Sequence, residues 1–417
     1  MAEKMRILWL SNIIFPEVSG RLGLSRVVVG SWMMAYKSLL QASHAADMEL
    51  HVISPYEGTS FADVEAGGAH HYLFPETTGA SELRKWLKAV NDRVRPDVVH
   101  IHGSEYPHSS LFVEACGSGN AILSIQGLVS VYARYYYGGL DLQGKFTLRD
   151  LLKRDTPRIQ QRDFVRRGWL ERSLISRVGN IAGRTSWDYA HSVAINPDVR
   201  YYTCQEPLRD GFYHAAWSLD ECHRHTIFAC QPAYPIKGLH QLLAALPLVR
   251  RRYPDVHLYL PGDNIGDRPW WKIRAYWRYI NRLIERHDLR DCVTFLGGQT
   301  EEEMIAHYLS ANVFVCPSSI ENSSNSVCEA QILGVPVIAS YVGGMMDLVA
   351  DGESGLLYRF EEVEMLAGKI CSIFADDTLA LRLSQGARAV ATRRHDRAAI
   401  AESLWAIYQS VRGTSNR

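Results

Sequence analysis

Residues 313–344 read VFVCPSSIENSSNSVCEAQILGVPVIASYVGG, and this stretch decides the fold. An apolar run of buried-strand type ends at Cys316, a polar loop of serines and asparagines follows, and a short helix begins near Ser326. Pro336 then opens another apolar run. Strand, helix and strand in that order are the unit of a parallel sheet. The start of the helix presents unpaired backbone N–H groups and a positive dipole end toward the loop, which suits a phosphate or diphosphate. Glu321 stands before the polar turn and Glu329 eight residues later, so two carboxylates flank the place where an anion would sit. Both can accept hydrogen bonds from sugar hydroxyls. The spacing alone discriminates poorly, because Glu353 and Glu361 share it. What distinguishes the first pair is the ordered context of Pro-Ser, the polar turn, Glu329-Ala330, Gly334-x-Pro336 and Gly343-Gly344.

Working outward, the same alternation fills the chain. Thr226–Cys230, Val256–Leu260, Cys292–Leu296, Val313–Cys316 and Val335–Ser340 read as strands. Between them, helices are predicted over Leu239–Arg251, Pro269–His287, Glu301–Ser310 and near Glu329–Leu333. An earlier series has strands at Arg6–Ser11, Glu49–Ser54, Asp97–His102 and Ala121–Gln126. There a loop through Pro16, Gly20 and Gly23 leads to Ser25, the predicted N-cap of a helix ending near Gln41. Residues 140–177 are arginine-rich in helical register and read as helices appended to the first domain. Neither period is clear in LRDGFYHAAWSLD, 208–220. The expected domains are therefore 1–206, a linker at 207–222, a second α/β domain at 223–394, and a C-terminal helix at 395–417 that can cross back to the first domain.

Composition narrows the function. The 417 residues suit two domains, and 45 basic against 45 acidic side chains leave no net field to recruit a nucleic acid. The eight cysteines lack any metal-like spacing and read as small core residues in a reducing compartment. No signal peptide or membrane-spanning run is evident, so a cytoplasmic protein is expected. The aromatic, basic helix at 270–286 raises an interfacial membrane reading, but Ile273, Trp277, Ile280 and Ile284 form one stripe that favours core packing.

The 313–344 segment resembles the nucleotide-sugar site of retaining glycosyltransferases of family 4, which have the GT-B fold of two facing Rossmann-like domains with a cleft between them. PDVVHIH at 96–102, Lys237-Gly238, LPGDN at 260–264, FLG at 295–297 and DGESGLLY at 351–358 agree in order. The resemblance implies that Glu321 meets hydroxyls of the transferred sugar and Glu329 the ribose. It also implies that the backbone at Asn325, Ser326 and Val327 meets the diphosphate with Lys237, and that the loop from Gly297 to Gln299 faces the base. Lys237 is sensible independently, since an ammonium at a strand-to-helix loop neutralises phosphate charge. Gly20, His102, Gln126 and Arg184 are the candidates for the acceptor side or cleft. For His102 a buried histidine satisfied by the backbone is the commoner case, and Arg184 reads at least as well as a structural salt bridge.

Two departures stand out. Pro232, beside Gln231, occupies the position where family members carry a second phosphate-binding arginine. Gln126 stands where many have a histidine, and glutamine does not titrate. What the resemblance implies is transfer of a sugar from a nucleoside-diphosphate sugar to a saccharide or lipid-linked saccharide, with retention and without metal or other cofactor. Polysaccharide or glycolipid assembly is the setting, with peripheral contact at the inner membrane face. A nucleotide-sugar epimerase of the same fold and a non-catalytic sugar-nucleotide sensor are the alternatives. A nicotinamide dehydrogenase is disfavoured because GRLGLS, at 20–25, lacks the GxGxxG spacing.

Overall fold

The computed structural model describes residues 4–24, 31–140, 156–229, 234–263 and 273–415. The expected N-cap Ser25, the run KFTLRDLLKRD and the pair Gln231 and Pro232 lie outside them, as do Cys230, Asn264 and the first residues of the 270–286 helix. The chain forms two compact units. One gathers described residues of 1–130, 166–207 and 395–417; the other gathers those of 131–165 and 208–394. The sequence reading instead drew the first domain continuously to 206. Segment 131–165 belongs with the second unit because its own contacts lie there. Gly138 O accepts from His240 Nε2 at 2.6 Å and Tyr135 O from Ser319 Oγ at 3.1 Å.

The first unit is built on eight strands: β1 (Met5–Leu10), β2 (Met48–Tyr56), β3 (Ala62–Ala66), β4 (Ala69–Pro75), β5 (Val98–His102), β6 (Ala121–Ser124), β7 (Asn180–Gly183) and β8 (Arg200–Thr203). Their order is β3-β4-β2-β1-β5-β6-β7-β8, and only β3 runs antiparallel to its neighbour. Strand β5, VVHIH, is buried throughout, as expected of a parallel strand covered on both faces. The β3–β4 hairpin was not anticipated. Gly67 and Gly68 adopt φ of 55° and 70° at its turn, a conformation glycine reaches without steric cost. The helix Arg397–Ser415 covers the sheet, burying Leu404, Tyr408 and Val411, with the Trp9 indole donating to Tyr408 Oη at 3.0 Å.

Where a loop was expected around Gly20, the chain forms a helix, Pro16–Leu22. Proline at its first turn needs no N–H and is already fixed near helical φ. Gly23, at φ 64°, ends it in the left-handed conformation. Gly20 is thus an exposed helical residue.

The second unit holds six parallel strands: β9 (Thr226–Ala229), β10 (His257–Leu260), β11 (Val293–Phe295), β12 (Val313–Cys316), β13 (Val337–Ser340) and β14 (Leu356–Tyr358), in the order β11-β10-β9-β12-β13-β14. The short apolar runs TIFA, VFVC and VIAS are buried at every position, so burial on both faces explains why they show no polar alternation. Within the helix Ala275–Arg286, Trp277, Ile280 and Ile284 are buried, and Ile273 just before it is buried too; the stripe packs into the core. Two Rossmann-like units, one with a mixed sheet of eight strands and one with a parallel sheet of six, make the fold that of the GT-B class.

Candidate functional site

In the second sheet the strand order reverses between β9 and β12. Open α/β sheets bind ligands just beyond the carboxyl ends of the strands at such a reversal. The loops leaving these two strands carry Lys237 and the Pro317–Glu321 segment, and they pack closely. Gly238 has φ 69°, and a Cβ there would fall 1.7 Å from the Pro317 carbonyl oxygen, so only glycine permits the approach. That approach delivers Lys237 Nζ to 2.6 Å from Glu321 Oε1, which also accepts from Ser318 Oγ at 2.8 Å.

Glu321 is held from its backbone as well. Gly344 N–H donates to its carbonyl at 3.0 Å, and a Cβ on Gly343, at φ 54°, would sit 1.9 Å from the same oxygen. The Gly343-Gly344 pair noted in the sequence is therefore the seat of the Glu321 backbone. Ser340 Oγ donates to the Ser318 carbonyl, and Asn322 N–H donates to Tyr132 Oη at 3.0 Å. These bonds hold the turn from several sides.

The helix following the turn spans Asn325–Leu333, with Ser324 at its N-cap and Gly334 closing it at φ 85°. Asn325 and Ser326 form its accessible first turn, whereas the Val327 side chain is buried. Glu329 lies one turn in and is only 8% exposed. Burial raises its carboxyl above the usual range; Arg209 and then Tyr308 oppose that shift. Arg209 donates to Glu329 Oε1 from Nε at 3.1 Å and from its terminal nitrogen at 2.8 Å. Tyr308 Oη donates to the Ser326 carbonyl at 3.0 Å and lies 3.3 Å from Glu329 Oε2. A buried carboxylate is tolerated because a guanidinium and a phenol meet it.

Gly297, at φ 76°, pairs with Gly262 in an isolated bridge beyond β10 and β11. Gln299 turns back on its own loop, donating to the Leu296 carbonyl at 2.7 Å, while His307 Nε2 meets its Oε1 at 3.0 Å. This loop lies two strands from the Lys237–Glu321 pair along the sheet edge.

The structure thus gathers Lys237, Glu321, Asn325, Ser326, Val327 and Glu329 on the two loops leaving β9 and β12 and on the helix that follows the second. Gly20, His102, Gln126 and Arg184 belong to the other unit. His102 is 1% exposed, packed 4.7 Å from Trp9 and 3.8 Å from His100 between ring centroids, and neither ring nitrogen has a hydrogen-bond partner among the described residues. Arg184 pairs with Glu206 at 2.6 Å and donates to the Gln126 carbonyl at 2.9 Å, while Gln126 Nε2 donates to Glu206 at 2.7 Å. Sequence reading missed Arg209, Tyr308 and Tyr132. Arg209 lies in the aperiodic 208–220 stretch, and nothing in its local spacing signals a partner 120 residues away.

The class that fold and site define is a GT-B protein with Lys237, Glu321 and a helix start at the switch point of its second sheet. Residues 224–390 match the family model described as glycosyl transferases group 1. D-inositol 3-phosphate glycosyltransferase of Corynebacterium urealyticum is 29% identical over 163 residues, covering 38% of this chain and 37% of that protein. Phosphatidyl-myo-inositol mannosyltransferase of Mycolicibacterium smegmatis is 26% identical over 363 residues, covering 86% and 79%. Most of the curated relatives are matched over less than half of their own length, as with 40% for a glycogen synthase of Mycobacterium tuberculosis. Among solved structures, sucrose-phosphate synthase from Thermosynechococcus elongatus superposes with a TM-score of 0.70 at 19% identity over 98% of this chain and 99% of that one. HepE of Anabaena, solved with UDP-glucose, gives 0.68 at 15% identity over 97% and 100%. These likenesses share the fold.

Proposed function

We propose that the chain transfers a glycosyl group from a nucleoside-diphosphate sugar to an acceptor hydroxyl, with retention at the anomeric carbon. The observation that carries this reading is the convergence of Lys237, Glu321 and the Asn325–Leu333 helix start at the β9/β12 reversal. A diphosphate seated there meets the helix N–H groups and the Lys237 ammonium, which stabilise the charge that grows as the glycosidic bond breaks. Glu321 accepts hydroxyl hydrogens of the transferred sugar, and Glu329, held by Arg209, accepts those of the ribose.

Retention follows if the acceptor approaches on the face that the phosphate leaves, with a departing phosphate oxygen taking the acceptor's proton. Positive charge comes from Lys237 and the helix end, so activity is expected to persist in EDTA. We further propose a saccharide or lipid-linked saccharide acceptor in polysaccharide or glycolipid assembly. The matched mannosyltransferases and the HepE complex with UDP-glucose support the donor and acceptor classes by analogy. Gln126 and Arg184, at the carboxyl ends of β6 and β7, are proposed to shape the acceptor side through their shared contact with Glu206. Among the described residues no helix is long and apolar enough to cross a membrane, and a peripheral contact at its inner face is part of this proposal.

A thermal-shift screen of UDP, GDP and ADP with their sugars tests it, because a ligand that binds only the folded state raises Tm by mass action. A rise with at least one sugar nucleotide is expected, and a flat response to all would overturn the reading. Incubation of that donor alone then separates the alternatives. Slow hydrolysis fits a transferase, an isomeric sugar nucleotide an epimerase, and no turnover with any acceptor a sensor.

A further inference from the structure

The proposed donor roles run in one direction along the carboxyl edge of the second sheet. The Gly297–Gln299 loop follows β11, Lys237 follows β9 and Glu321 follows β12, which orders the proposed base, diphosphate and sugar positions across the sheet. The next strands, β13 and β14, end at a pocket of about 560 Å³ that none of the donor roles uses. Its lining belongs wholly to this unit, and it adjoins the sugar end of the line. Ser319, two residues from Glu321, is in its wall, and Val342 precedes the glycine seat of the Glu321 backbone.

The lining has a distinctive chemistry. Tyr135 and Tyr341, 48% and 55% exposed, leave ring surface open at this pocket. Arg134, Gln241 and Arg359 also line it. Tyrosine rings supply flat apolar faces for the C–H side of a pyranose, and amide and guanidinium groups reach its rim of hydroxyls. The volume lies in the range of small-molecule sites and accommodates one or two sugar rings.

The wall is rigid. Gly138 and Gly139 turn at φ 53° and 77°, and a Cβ on Gly138 would meet the Pro235 carbonyl at 2.8 Å. His240 and Ser319 tie the Gly138 and Tyr135 carbonyls to the body of the unit.

We infer that this pocket is an acceptor subsite that takes a pyranose ring of the acceptor saccharide, beside the transferred sugar. The inference rests on the transferase reading for its function, and its test is separable from that reading. The intact protein, saturated with the nucleotide found by thermal shift, is probed by saturation-transfer difference NMR with methyl α-D-glucopyranoside, methyl α-D-mannopyranoside and maltose.

Transfer to the ring C–H protons of at least one glycoside is expected. It should weaken roughly three- to tenfold in Tyr341→Ala, the size expected for one aromatic contact, while nucleotide affinity stays unchanged. Tyr135→Ala and Gln241→Ala repeat the measurement should Tyr341→Ala fold poorly. No transfer from any of the three glycosides, or transfer indifferent to all three substitutions, overturns the subsite. Loss of nucleotide binding in the wild-type protein would instead overturn the transferase reading.

Discussion

Each unit has one strand-order reversal, and the two are filled by opposite chemistry. In the first unit it lies between β1 and β5, where Trp9, His100, His102 and Tyr408 form a sealed aromatic cluster. Burial pulls His100 down to about 3 and His102 well below its ordinary value, so both imidazoles stay neutral. In the second unit the reversal lies between β9 and β12, and charge is retained there: Lys237 on Glu321, Arg209 on Glu329. A strand-order reversal is filled as core in one unit and is the proposed site in the other. What decides is whether the loops leaving the strands bring charged groups with partners or aromatic groups that exclude water.

The largest effect expected from breaking this contrast is at Lys237. Lys237→Ala should lower turnover by about 10²–10³, the usual cost of one preorganised electrostatic contact. It should also weaken nucleoside diphosphate binding more than nucleoside binding; equal losses would indicate a folding defect instead.

Next is Gly343→Ala, which forces a Cβ against the Glu321 carbonyl at positive φ. A loss of about 2–4 kcal/mol in denaturant unfolding is expected, or else a shifted turn with lost sugar-nucleotide binding. Unchanged stability and binding together would show that the turn is not seated as described.

Arg209→Met should weaken nucleoside diphosphate binding about tenfold and change its pH dependence. In the proposed complex ribose hydroxyls donate to ionised Glu329, so affinity is expected to fall as pH drops through its carboxyl pKa. Arg209 lowers that pKa, so removing it moves the acid edge of binding to higher pH. An edge that stays in place would separate Arg209 from Glu329.

In the first unit, His102→Phe should leave nucleotide affinity alone. Because its folded pKa is depressed, wild-type His102 contributes stability that is present above about pH 6.5 and lost as pH falls. The variant should therefore show a flatter acid limb in thermal unfolding, by about 1 kcal/mol.

The smallest effect concerns Glu171, which accepts from the backbone N–H groups of Val129 and Ser130. Burial raises its pKa to about 7, so its contribution is present at low pH and is lost as pH rises through 7. Glu171→Gln sets an amide NH2 against one of these N–H donors and should lower Tm at pH 5, and because glutamine does not titrate the further fall between pH 5 and pH 8 should be smaller than in wild type.

Much of the second unit was legible because its strands are short, wholly apolar and separated by helices of clear period. Val313–Cys316 and the helix Glu301–Ser310 fall where the sequence placed them. The first unit was less legible. Its β3 strand, ADVEA, does alternate, with exposed Asp63 and Glu65 facing outward, but it is only five residues long with small, mostly half-buried inward residues, and β8 is only partly buried. Pro16 and two glycines suggested a loop because glycine usually interrupts helices, yet Pro at the first turn and Gly just past the end delimit one.

Within the site, Lys237, Glu321 and Glu329 carried a local signal, each sitting at a strand-to-helix transition. Arg209, Tyr308 and Tyr132 carried none, because their roles depend on long-range packing. The segment 131–165 joined the second unit for the same reason. Its ties through Gly138 and Tyr135 are backbone carbonyls, which every residue possesses and no sequence pattern marks.

The most direct test of the account is calorimetric titration of nucleoside diphosphate into wild-type protein and Glu329→Ala, each shown to be folded by an unchanged unfolding transition. A loss of about 1–3 kcal/mol in the variant, as expected when a buried hydrogen-bond acceptor is removed from bound hydroxyls, is the predicted result. Equal affinity in both proteins would contradict the assignment of this turn and helix as the nucleotide site.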